Sequence, residues 1–176
     1  TWGASATAEE EDEGTADVLL TLPISRTRIL FSKIAATTTV VIFLSFLAMA
    51  NVLVLRGVVD LTIDSGKLLA ATISSISLGF FFTGIAFLVG SFSQRKGSAI
   101  GVVTGVSLIA FLIYSLSALV DNFDAIAPYN PMEWGLKGQP LFNGLDSGGN
   151  FKLVIGGLVL LVLAIMKFDK KDISTP

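Results

Sequence analysis

Three stretches of this chain run without a charged side chain: Ile34–Leu55, Leu68–Gln94 and Gly97–Val120. A helix crossing roughly 30 Å of hydrocarbon needs about 20 predominantly apolar residues, and each run meets that length. A fourth run, Leu153–Met166, is shorter and lies between Lys152 and Lys167. Adding Phe151 and Phe168 lengthens it, because lysine stems lie along apolar surface while their ammonium groups reach the interface. Composition agrees: 52% of the residues are hydrophobic and 15% charged, far from the mix of a water-soluble domain. The expected architecture is all-α and polytopic, with four transmembrane helices at 34–56, 68–94, 97–120 and 151–168 inside a bundle spanning 34–168.

An even number of crossings leaves both ends of the sequence on one side. That side carries Arg26, Arg28, Lys33, Arg95, Lys96, Lys167, Lys170 and Lys171, whereas the other carries Arg56, Lys67, Lys137 and Lys152. The excess of basic residues marks the cytoplasmic side, so both ends are expected in the cytoplasm of a multi-pass protein of the cell membrane. The chain does not begin with Met, and Thr1–Ala8 reads as the tail of an earlier helix. Residues 169–176 form a short basic tail.

The inner connection around Arg95-Lys96 is tight, which makes the second and third spans antiparallel neighbours. The outer segment 121–150 is too long for a bare connection. It contains Pro128, Pro131 and Pro140, several glycines, and Tyr129 and Trp134, aromatic types that suit a membrane interface. It is expected to form short re-entrant helices, whose backbone at membrane depth is tolerated only where protein or water satisfies it.

Within the second span, Gly79, Thr83, Ala86 and Gly90 follow one helical stripe, and Ser74, Ser77 and Gly84 line another. The third span opens with Gly97, Gly101 and Gly105, a double GxxxG. Small residues at this spacing allow close helix approach. They fit packing within the chain or a seam between protomers, and spacing alone does not decide. Thr37, Thr38, Thr39, Ser45 and Asn51 make the first span partly polar; they line a path or bond to their own helix.

Several function classes lose ground on residue types. There is no cysteine and no histidine, which removes thiol chemistry, the usual general base and the commonest ligands of transition metals. The first three spans hold no Asp, Glu, Lys, Arg or His, unlike most ion-coupled transporters. Gly66-Lys67 lacks the rest of a phosphate-binding loop. The acidic run Glu9–Glu13 with Asp17 lacks the ligand spacing of a calcium loop. No catalytic or metal-ligating residue is assigned, and no nucleic acid partner is expected.

The remaining unusual stretch is 9–29, EEEDEGTADVLLTLPISRTRI. An acidic run passes through Gly14-Thr15 into a short segment with Val18, Leu19, Leu20 and Leu22 on an apolar side. Pro23 ends that segment, and Ser25 is placed to cap the helix that follows. Residues 1–33 therefore read as the end of a preceding span plus an amphipathic helix at the cytoplasmic membrane surface.

This stretch resembles the inner loop of ABC-2 type permeases, the membrane subunits of a class of ATP-binding-cassette transporters. The resemblance rests on Glu10, Glu11, Asp12, Glu13, Gly14, Thr15, Leu19, Leu20, Pro23, Ser25, Arg26 and Lys33. The ending Phe168–Ile173, FDKKDI, is similar to a basic tail of such permeases, with lysines in place of arginines. The resemblance implies six spans per subunit, of which this chain holds the third to sixth. It implies that residues Glu10–Arg26 carry the coupling helix that docks on a cassette ATPase, and that the outer loop before the last span is re-entrant. It also implies a second permease subunit, with Gly97, Gly101 and Gly105 on the span near the seam. No cofactor is then bound by this chain; ATP and Mg²⁺ belong to the partner ATPase. The function implied is ATP-driven transport, as export, by a chain that is not itself an enzyme. Two other classes stay open: a non-transporting membrane scaffold using the same surface helix to recruit a soluble protein, and a secondary transporter.

Overall fold

The computed structural model describes residues 26–58, 62–93, 96–117, 119 and 125–169. The stretch 1–25, Arg95 and the tail beyond Asp169 lie outside the described residues, and with them the expected coupling helix and Lys170-Lys171. Helix α1 spans Arg26–Arg56, α2 Ser65–Phe92 and α3 Lys96–Ser117. A 3-10 turn at Ala127–Tyr129 leads to two short helices, α4 (Pro131–Leu136) and α5 (Pro140–Asn143), before the long α6 (Ser147–Asp169). No strand occurs among the described residues. Among the described residues four helices, α1, α2, α3 and α6, are long and apolar enough to cross a membrane.

The helices overrun the charge-free runs at several ends. Helix α1 begins at Arg26 rather than Ile34, α2 at Ser65 rather than Leu68, and α6 at Ser147 rather than Phe151. Helix propensity continues past the hydrocarbon into the interface, where arginine and lysine are good helix formers. The fourth span is therefore not short: it has 23 residues. The start of α2 is set by Asp64, whose carboxylate accepts the N–H of Gly66 at 3.0 Å and of Lys67 at 3.1 Å, satisfying donors that no preceding helical turn can reach. Asp146 does the same for α6, accepting from Gly148 and Gly149. Helix α3 ends earlier than expected, at Ser117.

Many hydroxyl groups along the spans are satisfied within their own helices, whereas the Thr38 hydroxyl is buried without a partner. Thr37 donates to the Lys33 carbonyl, Ser45 to Val41, Thr72 to Leu68, Ser77 to Ile73 and Ser107 to Val103. Asn51 likewise donates to Leu47. The polar residues of α1 thus include several bonded to their own backbone, as a lipid surround favours. Large apolar side chains point outward in numbers no aqueous surface tolerates, among them Phe43, Val54, Ile109, Phe111, Phe151 and Val162. Hydrocarbon is the solvent that makes this arrangement stable.

The chain divides into two compact units. Of the described residues, the first takes 26–38 together with those within Phe82–Leu108 and 156–169. Here the beginnings of α1 and α3 meet the ends of α2 and α6. Ala86, Ala99 and Val103 form a buried cluster against which Val89 and Ile100 pack, so α2 and α3 are neighbours across their short connection. The α2–α6 contact is closer still. A side chain at Gly84 would place its Cβ 2.9 Å from the Gly157 carbonyl oxygen and 3.0 Å from Leu160 Cβ. Farther along, the fully buried Ser91 hydroxyl lies 2.8 Å from the Phe87 carbonyl and 3.2 Å from that of Ala164, sharing its proton between two helices. Lys167 ends this seam with its ammonium 5.0 Å from the Phe92 ring centre, a cation–π contact.

The second unit takes Thr39–Phe81 and Ile109–Ile155. Val41 of α1 lies against Gly79 of α2, and the 3-10 turn, α4 and α5 belong to this unit. The basic positions expected on one side of the membrane, Arg26, Arg28, Lys33, Lys96 and Lys167, all fall in the first unit. Arg56, Lys67, Lys137 and Lys152 fall in the second.

Candidate functional site

The segment expected to be re-entrant is built of short helical pieces in the second unit, each started by a proline. Pro131 opens α4 and Pro140 opens α5, positions where the missing N–H costs nothing. Asn130 joins this segment to a span. Its side-chain oxygen accepts the Met132 N–H at 3.0 Å, capping α4, while its amide donates to the Ala110 carbonyl of α3 at 2.7 Å. Asn130 is buried, so both bonds form away from competing water. Trp134 closes the turn: its indole N–H donates to the Pro128 carbonyl at 2.6 Å, and its ring meets Phe81 edge-on at 5.9 Å. Gly149 lies directly against the Trp134 carbonyl, an approach that leaves no room for a side chain. Asn150 donates to Ser74 Oγ at 3.1 Å and to the Asp146 carbonyl at 2.7 Å, tying the start of α6 to α2. Its Oδ1 is buried without a protein partner.

A cavity of about 590 Å³ opens between the end of α3 and these short helices, lined by Tyr114, Ser117, Pro128, Glu133, Lys137 and Gln139 among others. Glu133 and Lys137 lie one helical turn apart, and the Lys137 ammonium is 2.9 Å from Glu133 Oε1. The two partners differ in burial: the glutamate side chain is 13% exposed and the lysine 72%. Gln139 adopts φ +46°, the left-handed region that a non-glycine residue occupies at a cost.

Of the site residues expected from sequence, Glu10, Glu11, Asp12, Glu13, Gly14, Thr15, Leu19, Leu20, Pro23 and Ser25 lie outside the described residues. Arg26 is the first residue of α1. Gly97, Gly101 and Gly105 are on α3, and a Cβ at any of the three meets no atom within 4 Å. The double GxxxG is therefore not used for packing among the described residues. In-chain close packing falls to Gly79 and Gly84 on the two stripes of α2, where Ser74, Ser77, Thr83 and Ala86 are also buried.

Asn130, Glu133, Lys137 and Asn150 were not distinguished by sequence reasoning beyond counting Lys137 among the outer basic residues. A signal existed for two of the features: Asn-Pro is a helix-start pair, and Glu133 precedes Lys137 at the i, i+4 spacing that favours pairing. Nothing local marks Asn150, whose partner Ser74 is distant in sequence.

Among the described residues, four helices of spanning length, an apolar exterior and a capped set of short helices between the last two of them define a polytopic helical membrane protein. A profile of the family described as ABC-2 family transporter protein matches residues 2–147. The chain belongs to that family and is a membrane-embedded permease of a transporter. No curated protein and no solved structure matches it. Permease domains of this family are not themselves catalytic, and the family generally works with a cassette ATPase and as a dimer.

Proposed function

We propose that this chain is the permease subunit of an exporter whose ATP hydrolysis takes place on a separate cassette ATPase subunit. The observation that carries the reading is the unbroken α1. It starts at Arg26, directly after the acidic-to-apolar stretch, and continues as one α-helix to Arg56. A displacement applied at the stretch 9–25 by an ATPase therefore enters a spanning helix with no proline or glycine between Arg26 and Arg56 to absorb it. Gly14 and Pro23 bound the coupling segment, with Glu10–Glu13 and Asp17 available to basic surface on the ATPase. Both ends of the sequence face the cytoplasm, where that ATPase resides.

The open face at Gly97, Gly101 and Gly105 supports a second permease subunit seated on α3, since small residues there permit close backbone approach. The short helices α4 and α5 serve as the re-entrant outer element of each subunit. No specific observation favours a non-transporting scaffold. The test is the full-length permease carrying Glu13→Lys with Gly14→Leu, co-expressed with its ATPase. Membrane insertion should persist while transport and permease-stimulated ATP hydrolysis fall at least tenfold. Undiminished coupling in that variant overturns the assignment of the segment. Accumulation of substrate inside inverted vesicles on adding ATP is the outcome expected for export; loss from preloaded inverted vesicles reverses the direction.

A further inference from the structure

We propose that Asn143-Gly144 is a site of spontaneous deamidation, and that the conversion releases α5 from the loop leading into α6. Asn143 closes α5, a helix of 4 residues, and Gly144 follows it at φ +90°. Glycine takes that conformation without the strain other residues meet there, so the way α5 ends calls for a glycine. The asparagine before it is used as well: its Nδ2 donates to the Gly138 carbonyl at 3.0 Å, fastening the end of α5 to the chain ahead of its start. The fold thereby sets an amide side chain directly before a residue with no side chain to shield its nitrogen. The sequence contains no second Asn-Gly pair.

The backbone nitrogen of Gly144, its proton taken by hydroxide, attacks Cγ of Asn143. The N–Cγ bond forms, the Cγ–Nδ2 bond breaks, and Nδ2 leaves as ammonia with a proton from water. Water then opens the cyclic imide at either carbonyl, leaving aspartate or isoaspartate. One water is consumed, one ammonia is released, and nothing is oxidised or reduced. In the closed turn both reacting groups are engaged, because the Gly144 N–H donates to the Pro140 carbonyl at 3.1 Å and Nδ2 is held on Gly138. Asn143 is nevertheless exposed, and a single helical turn is far too short to persist by its own bonds. Gln139, at φ +46°, adds a strained residue at the start of that turn. Local opening of α5 therefore sets the rate. Other described asparagines lack this combination: Asn130 precedes Pro131, whose nitrogen has no proton to lose, Asn150 is buried, and Asn51 lies inside α1 with its amide on the Leu47 carbonyl.

The product acts on its surroundings through charge. A carboxylate cannot donate to the Gly138 carbonyl and meets that oxygen with negative charge. A Cβ at Gly138 would stand 2.9 Å from Asp146 Cβ, so the new charge also arrives near the residue that caps α6. Isoaspartate further inserts a carbon into the backbone at the end of α5. The proposal involves no ATPase, so its test is separate from that of the coupling segment.

The test incubates the full-length permease in lipid nanodiscs at mildly alkaline pH, beside a sample unfolded in dodecyl sulfate. Peptide mass spectrometry with electron-transfer fragmentation then follows aspartate and isoaspartate at each asparagine. Asn143 should convert at least tenfold faster than Asn51 and Asn150 in nanodiscs, and several-fold faster again once unfolded. A third reading takes Asn143→Asp, which carries the charge of the product, and should show several-fold faster hydrogen exchange over residues 138–150. The first two readings use the unaltered sequence, so they stand even where the variant misfolds. Conversion of Asn143 no faster than that of Asn51 and Asn150 overturns the site. Equal rates in folded and unfolded protein overturn the control by α5, and unchanged exchange in Asn143→Asp overturns the release of the loop.

Discussion

Gly84→Ala is the smallest change that tests how the first unit holds together. Its new methyl carbon would stand 2.9 Å from the Gly157 carbonyl oxygen and 3.3 Å from Gly157 Cα, both backbone atoms that no rotamer change can move aside. Ordinary contact begins at 3.4 Å, so α2 and α6 must part locally by about 0.5 Å, an overpacking whose usual cost is about 1–3 kcal/mol. The same movement stretches the 3.2 Å contact of Ser91 with the Ala164 carbonyl towards a broken bond, and an interhelical bond in lipid is worth about 0.6 kcal/mol. Opposing these is alanine's better helix propensity, about 1 kcal/mol in water. The net expectation is destabilisation by about 1–2 kcal/mol, with the sign set by the backbone clash. Reversible unfolding of the purified permease in mixed micelles, followed by circular dichroism as the denaturing detergent is raised, measures it. Gly57→Ala is the control, since a methyl there meets only the Val54 carbonyl oxygen at 3.8 Å, an ordinary contact. A Gly84→Ala protein as stable as Gly57→Ala would refute the close-packed α2–α6 seam.

Asn130→Ala should lose the cap on α4 and the tie to α3 together, about 1–3 kcal/mol of local stability, seen as faster hydrogen exchange over residues 127–136; Asn130→Asp should retain the cap and lose the tie. Asp64→Ala should remove the bonds to Gly66 and Lys67 and cost about 1 kcal/mol at the start of α2, read as earlier exchange of those amides with transport unaffected. Gly101→Leu should leave the fold of one subunit intact, because its face of α3 is open, and should lower the dimer fraction in single-molecule photobleaching several-fold.

The spans were legible because lipid imposes a one-dimensional rule: enough uncharged residues in a row make a crossing, whatever they pack against. The prolines likewise announced the broken outer segment, since Pro131 and Pro140 fit only the starts of short helices. Helix ends were less legible. Ser147–Asn150 contains Gly148 and Gly149 and falls by sequence in the broken outer segment 121–150, yet Asp146 caps these residues into α6, and the carbonyl of Trp134 requires the glycine at 149. Small residues were visible as stripes, but their use was not. Gly84 and Gly101 look alike in sequence, and only the neighbour across the helix shows that one is filled by Gly157 and Leu160 while the other faces outward. Buried amides such as Asn150 were invisible for the same reason, because their partners arrive from another helix. The coupling stretch is legible by resemblance and by its acidic-to-apolar pattern, and lies outside the described residues.

The most direct measurement is a photo-crosslink from the stretch ahead of α1. A benzophenone amino acid at Thr21 of the full-length permease, irradiated in membranes that contain the cassette ATPase, should yield a permease–ATPase adduct whose yield changes between nucleotide-free and ATP-bound conditions. An adduct confined to lipid or to the permease's own helices, unchanged by ATP, would contradict the view that an external motor drives these helices through residues 9–25.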